Sequence, residues 1–174
     1  ELDKYINIAQ SSNQLLTLKL KVGIDPISVE EKLISEILNR LPKNCRIRLD
    51  ANTGWKREEA NFWANYFIND QRLEWLEQPL STNDFIGLEE LSKKVPVALD
   101  ESLIDYPILK KSWENWQIRR PTLEGDPRTF LQELNHGINQ IAISTTFETG
   151  IGRRCINHLA AIQQKTLTPT APGL

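Results

Sequence analysis

Methionine is absent from these 174 residues, and cysteine and histidine occur only twice each. No basic run stands in the chain and the net charge is −2, which argues against nucleic acid or an anionic membrane as partner. No apolar stretch approaches the roughly 18 residues that a membrane span takes. No signal-peptide pattern opens the chain, where Glu1, Asp3 and Lys4 are charged. There is no glycine-rich phosphate loop, no internal repeat and no low-complexity segment. Cys45 and Cys155 read as buried free thiols of a reducing, cytoplasmic compartment rather than as a disulfide. His136 and His158 fall in helical segments and read as helix-face residues rather than ligands. With 40% hydrophobic and 25% charged residues, the balance is that of an ordinary globular protein. The chain opens on Glu1 and stops at Pro172-Gly173-Leu174 with no closing helix, so it reads as a piece of a longer protein.

Strand and helix patterns alternate along the chain. Leu16, Leu18, Leu20 and Val22 alternate with Thr17, Lys19 and Lys21, which predicts a strand with both lysines on one face. Ser28-Val29-Glu30-Glu31 reads as a capping box before Leu33, Ile34, Ile37, Leu38 and Leu41, which recur at helical spacing up to Pro42. Cys45 to Asp50 reads as a second strand with Arg46, Arg48 and Asp50 on one face. A helix from about Lys56 buries Ala60, Trp63, Ala64 and Phe67. Further strands are predicted at 73–77, 95–100, 116–120 and 140–144, with a seventh starting at 166–170. Helices are predicted at 84–94, 105–114 and 150–164, and between the Asp126-Pro127 start and the Gly137 stop. This alternation predicts an α/β fold with a parallel sheet. Seven strands at this spacing fit a (β/α)8 TIM-type barrel, incomplete over residues 1–174, lacking the first strand and the end of the last; such barrels take about 250 residues. A doubly wound sheet is the weaker alternative.

Asp50, Glu77 and Asp100 close three successive apolar strands, 27 and 23 residues apart. In a closed parallel barrel such strand ends converge on one small volume. Carboxylate oxygens without histidine or thiolate select Mg²⁺, with Mn²⁺ possible, over Zn²⁺. The bland reading, that each acid caps the next helix, holds for about half of single aspartates. It weakens for three acids at successive strand ends facing two lysines.

The motifs Lys19-Leu20-Lys21, Leu49-Asp50-Ala51-Asn52, Leu76-Glu77-Gln78-Pro79 and Leu99-Asp100-Glu101-Ser102 resemble the enolase superfamily, muconate-lactonizing subgroup. Arg48 to Asn52, Asp100 to Ser102, Arg120-Pro121-Thr122-Leu123 and Ser144 to Gly152 further resemble the o-succinylbenzoate synthase family within it. The resemblance implies removal of the proton α to a carboxylate of a small-molecule substrate, with Mg²⁺ supporting the charge that develops. By this resemblance Asp50, Glu77 and Asp100 are metal ligands, Lys21 is the acid/base and Lys19 contacts the substrate carboxylate. Ser144, Thr145, Thr146 and Gly173 resemble the family's contacts to a second carboxylate. Arg48 is expected either to touch substrate or to balance the carboxylates, and Asn52 to orient a ligand or a loop. The family's second lysine is replaced here by Arg120, which is always protonated. A carbon–oxygen lyase that dehydrates with one base is therefore expected over a racemase, epimerase or cycloisomerase of the same superfamily. A non-catalytic barrel is the alternative from another class. The resemblance also implies an N-terminal capping domain of the same protein, absent from this sequence.

Overall fold

A computed structural model describes residues 2–12 and 15–173. The chain divides into two compact units, residues 1–97 and 98–174.

The first unit runs α1 (Leu2–Ser12), β1 (Thr17–Lys21), α2 (Ile27–Arg40), β2 (Arg46–Asp50), α3 (Arg57–Phe67), β3 (Leu73–Glu77) and α4 (Phe85–Ser92). β1 pairs parallel with β2, and β2 parallel with β3, so spatial order follows chain order without the reversal of a doubly wound sheet. Short parallel strands buried on both faces read as nearly continuous apolar runs. In β2, Ile47 and Leu49 are fully buried and Arg48 and Asp50 nearly so. Trp63, Ala60, Ala64 and Phe67 share one face of α3, as their spacing predicts, and are all buried. Trp63 stacks on Trp55 with ring centroids 6.0 Å apart. Asp84 caps α4 by accepting the Gly87 N–H at 3.1 Å.

The second unit holds most of β4 (Val97–Leu99), then α5 (Glu101–Asp105), α6 (Leu109–Ser112), β5 (Trp116–Arg119), a 3₁₀ turn (Pro121–Leu123), α7 (Pro127–Asn135), β6 (Ile141–Ile143) and α8 (Gly150–Gln163). β4 pairs parallel with β5, and β5 with β6. Its core joins Phe130 and Leu134 of α7, Ile141 and Ile143 of β6, and Ile156, Leu159 and Ala160 of α8. Asp126 caps α7 through the Arg128 N–H at 2.9 Å, and Gly137 leaves the helix at φ +81°, a left-handed value that glycine takes without a Cβ penalty.

The structure corrects the sequence reading in several places. No side chain caps α2, because Pro26 holds the N-cap position and the helix begins ahead of Ser28. Glu30 instead turns inward and accepts the N–H groups of Ile24 and Asp25 at 3.0 and 3.2 Å. Leu33 remains 57% exposed. Of the helix expected over 105–114 only the short α6 forms; α5 lies ahead of it and ends at Asp105. No strand forms over 166–170. There, side chains serve the backbone: Gln163 Nε2 donates to Ile141 O and Thr168 O, and Thr168 Oγ1 accepts the Gln140 N–H at 2.6 Å. The chain regains strand geometry only at Gly173, in an isolated parallel bridge to Ser144. Both cysteines are free, but Cys155 is exposed rather than buried.

Candidate active site

In the first unit, Lys19 pairs in register with Arg48, and Lys21 with Asp50; Asp50 in turn pairs with Glu77. Strand alternation therefore brings both lysines and two carboxylates to one face. Lys19 Nζ lies 2.5 Å from Glu77 Oε1 and 2.7 Å from Asp50 Oδ2, and Lys21 Nζ lies 2.7 Å from Asp50 Oδ2. Both acids are 1% exposed, whereas the lysine side chains reach solvent. Asn52 ties the strand end together. Its N–H donates to Asp50 Oδ1 at 3.2 Å, and its Oδ1 accepts from Lys21 Nζ. That clasp places Asn52 at φ +43°, and Thr53 follows at +66°, a backbone region in which asparagine is enriched. Behind it, Gly54 has no room for a side chain: a Cβ would sit 2.9 Å from Ala51 O.

The charges interact strongly at this depth. Burial, then the Asp50 charge, pushes the Glu77 carboxyl up to about 7, against the pull of Lys19 and the Trp75 N–H. Burial also works to raise Asp50, but hydrogen bonds from Lys19 and Lys21 prevail and hold it below the usual carboxylate range. Burial works against the Lys19 ammonium; Glu77 and Asp50 outweigh it and raise its pKa above the ordinary lysine value.

In the second unit, Asp100 is 1% exposed and receives the Arg120 guanidinium on both oxygens, Nε donating to Oδ1 at 2.8 Å. Arg120 also donates to Thr145 O at 3.1 Å, and its N–H to Glu124 Oε1 at 2.9 Å. Ser144 and Gly173 are brought together: Ser144 Oγ and the Thr145 N–H both donate to Gly173 O. The Thr146 hydroxyl is held by Thr122 and Glu148.

Arg48, expected to touch substrate or to balance the carboxylates, meets a carboxylate and an indole of β3. Its Nε donates to Glu74 Oε2 at 2.7 Å, and the guanidinium lies 4.1 Å from the centre of the Trp75 ring. Sequence reasoning missed Glu74 and Trp75, although the shared face of Trp75 and Glu77 was legible from their spacing. It also missed Glu124, which accepts from Arg119 and pairs with Lys110. Both histidines are exposed and on or beside helices, as expected.

Among the described residues no three His, Cys, Asp or Glu side chains form a ready metal cage. The protein's own cations sit on Asp50, Glu77 and Asp100 instead. Within the first unit, the Asp50–Glu77 pair nevertheless suits a hard divalent cation: both are buried carboxylates, and one ammonium nitrogen already reaches an oxygen of each. No helix among the described residues is long and apolar enough to cross a membrane.

A parallel α/β fold with strand-end carboxylates and paired lysines is the architecture of one protein class, and residues 7–115 match the family model of enolase C-terminal domain-like proteins. The chain belongs to that family. A relative, the o-succinylbenzoate synthase of Thermosynechococcus vestitus, is 30% identical over 153 residues, covering 82% of this chain and 48% of that protein. The L-Ala-D/L-Glu epimerase of Bacillus subtilis is 38% identical over 91 residues, half of this chain and 25% of that protein. The crystal structure of o-succinylbenzoate synthase from Thermosynechococcus elongatus, with magnesium in its active site, matches at a TM-score of 0.77 and 27% identity over 97% of this chain and 58% of that one. The fold is thus that of the family's α/β barrel, of which this chain carries a part. The chain spans about half the length of the first of these relatives.

Proposed function

We propose that the protein to which this chain belongs is a cytoplasmic, Mg²⁺-dependent carbon–oxygen lyase. It dehydrates 2-succinyl-6-hydroxy-2,4-cyclohexadiene-1-carboxylate to o-succinylbenzoate in the synthesis of menaquinone or phylloquinone. One observation carries the reading: Lys21 stands beside a buried Asp50–Glu77 pair, with Lys19 spanning both acids. The relatives named above support it. Asp50, Glu77 and Asp100 would hold the Mg²⁺, which when bound supplies a Lewis acid for the charge developing on the substrate carboxylate.

The chain's own residues do the rest. Lys21 Nζ, held by Asp50 and Asn52, takes the proton from the carbon that bears the carboxylate. The electron pair of that C–H bond becomes the new ring double bond to the adjacent carbon. The C–O bond at that carbon breaks, and the hydroxyl leaves as water with the proton that Lys21 returns. Lys19, beside the Asp50–Glu77 pair, is assigned to the substrate carboxylate. Ser144, Thr145, Thr146 and Gly173 are assigned to the succinyl end. Arg120 contributes a fixed cation and no second base.

Epimerisation is the second reading, favoured by the epimerase relative. It needs a base on each face of the carbon, and an arginine serves poorly as the second. The deciding experiment is an assay of the full-length protein with Mg²⁺ on the cyclohexadiene substrate, following loss of water to the aromatic product. Wild type is expected to turn over and Lys21→Ala to be inactive. Turnover in Lys21→Ala overturns the assignment.

A further inference from the structure

We propose that Arg48, Glu74 and Trp75 form a positioning assembly for the Glu77 carboxylate. The proposal rests on the reading of Glu77 as a metal ligand.

The argument begins with register. β2 and β3 pair Ile47 with Leu73 but Arg48 with Trp75, so Glu74 is one extra residue on β3. Continued without it, the first pairing would set Asp50 opposite Leu76, and Glu77 would lose its place beside Asp50. A slip of one residue exchanges the two faces of a strand. The insertion at Glu74 therefore makes Asp50 and Glu77 neighbours.

The inserted residue is pinned. The Glu74 carboxylate accepts the Arg48 Nε–H at 2.7 Å, and both side chains are nearly buried. A buried ion pair of this kind holds a geometry even where it adds little net stability. The same guanidinium lies over the Trp75 ring, 4.1 Å from its centre, a cation–π contact that favours one placement of the indole. Trp75 is fully buried, and its Nε1–H donates to Glu77 Oε2 at 3.2 Å. The other oxygen, Oε1, accepts from Lys19. Lys19 reaches solvent on a four-carbon stem and is shared with Asp50, whereas the indole is rigid and enclosed. The indole N–H is thus the fixed partner that sets which way the carboxylate faces. Partners that orient a ligand in this way are commonly worth about 10- to 100-fold in metal affinity.

The test uses the full-length protein and Mg²⁺ titrated by calorimetry. Trp75→Phe keeps an aromatic ring near Arg48 and removes the N–H donor together with part of the ring volume. It is expected to weaken Mg²⁺ binding about tenfold in a variant whose cooperative unfolding shows it folded, the lost ring volume lowering the unfolding midpoint by itself. The Mg²⁺ concentration for half-maximal activity should rise while kcat at saturating Mg²⁺ is largely kept. Glu74→Gln, which frees the inserted residue from its ion pair, should weaken binding in the same direction by less, and gives an independent reading if Trp75→Phe does not fold. Wild-type affinity in the folded variants, alongside weakened binding by Asp50→Asn, overturns the positioning proposal and leaves the metal reading standing. Absence of Mg²⁺ binding by wild type overturns both.

Discussion

In the proposed function, Arg120 is the residue whose chemistry decides between dehydration and epimerisation. Its planar fork meets both oxygens of the buried Asp100, a geometry that a lysine's point charge cannot reproduce. As a cation that does not deprotonate, it leaves Lys21 as the single base. Wild-type full-length enzyme is therefore expected to exchange at most one enantiomer of an N-acyl amino acid or dipeptide at the α-carbon in D₂O, followed by NMR. Rapid exchange of both enantiomers would establish a second base. Arg120→Lys should keep part of the dehydration rate, because the positive charge survives. At the same scale, Asp100→Asn replaces one charged ligand by a neutral amide and should markedly lower Mg²⁺ affinity in calorimetry. An unchanged affinity would remove Asp100 from the ligand set.

Among the elements, β5 and the turn after it carry the densest buried charge outside the lysine–carboxylate cluster. Arg119 is 3% exposed, lies over Phe130, and pairs with Glu124 and with Glu133 at 2.9 Å. Burial works to raise the Glu124 carboxyl, but Arg119 and Lys110 prevail and hold it below its ordinary 4.5. A carboxyl depressed in this way stabilises the fold above its unfolded-state pKa and loses that contribution as pH falls through the lower folded value. Urea denaturation should accordingly show stability falling as the pH drops below about 4.5 in wild type and a flatter profile in Glu124→Gln. An identical slope in both would place the acid sensitivity elsewhere. At neutral pH the same substitution leaves Arg119 underpaired and should cost about 3 kcal/mol. How much of an element can be read in advance varies with its physics. The α3 stripe of Ala60, Trp63, Ala64 and Phe67 was legible because a helix repeats every 3.6 residues, whatever it packs against. The absence of the strand expected at 166–170 was not, because the Gln163 side chain takes up the Thr168 carbonyl and the Thr168 hydroxyl accepts the Gln140 N–H.

At the scale of the whole molecule, several large apolar side chains stand exposed. Phe147 is fully exposed, and Ile151, Leu167 and Ile24 are 85%, 82% and 78% exposed. Large exposed hydrophobes of this kind favour association. The 174-residue chain expressed alone should self-associate at micromolar concentration in sedimentation velocity and show no dehydratase activity, whereas the full-length protein should be active. A monomeric, cooperatively unfolding and active 174-residue chain would contradict this.

The amino-acid sequence by itself determined the alternation of strands and helices and the parallel α/β class. It also placed Lys19 and Lys21 on one strand face, and acids at the ends of the strands. These follow from local periodicity and from the family motifs, and neither needs a partner to be specified. Only the tertiary structure decided that Arg48 meets Glu74 and Trp75, and that Arg120 grips Asp100 with both arms of its guanidinium. It alone set Asp50 beside Glu77 through one inserted residue. The reason is physical. A strand's period fixes which face a side chain takes, but register between strands and the choice among several nearby opposite charges depend on distances that exist only once the chain has packed.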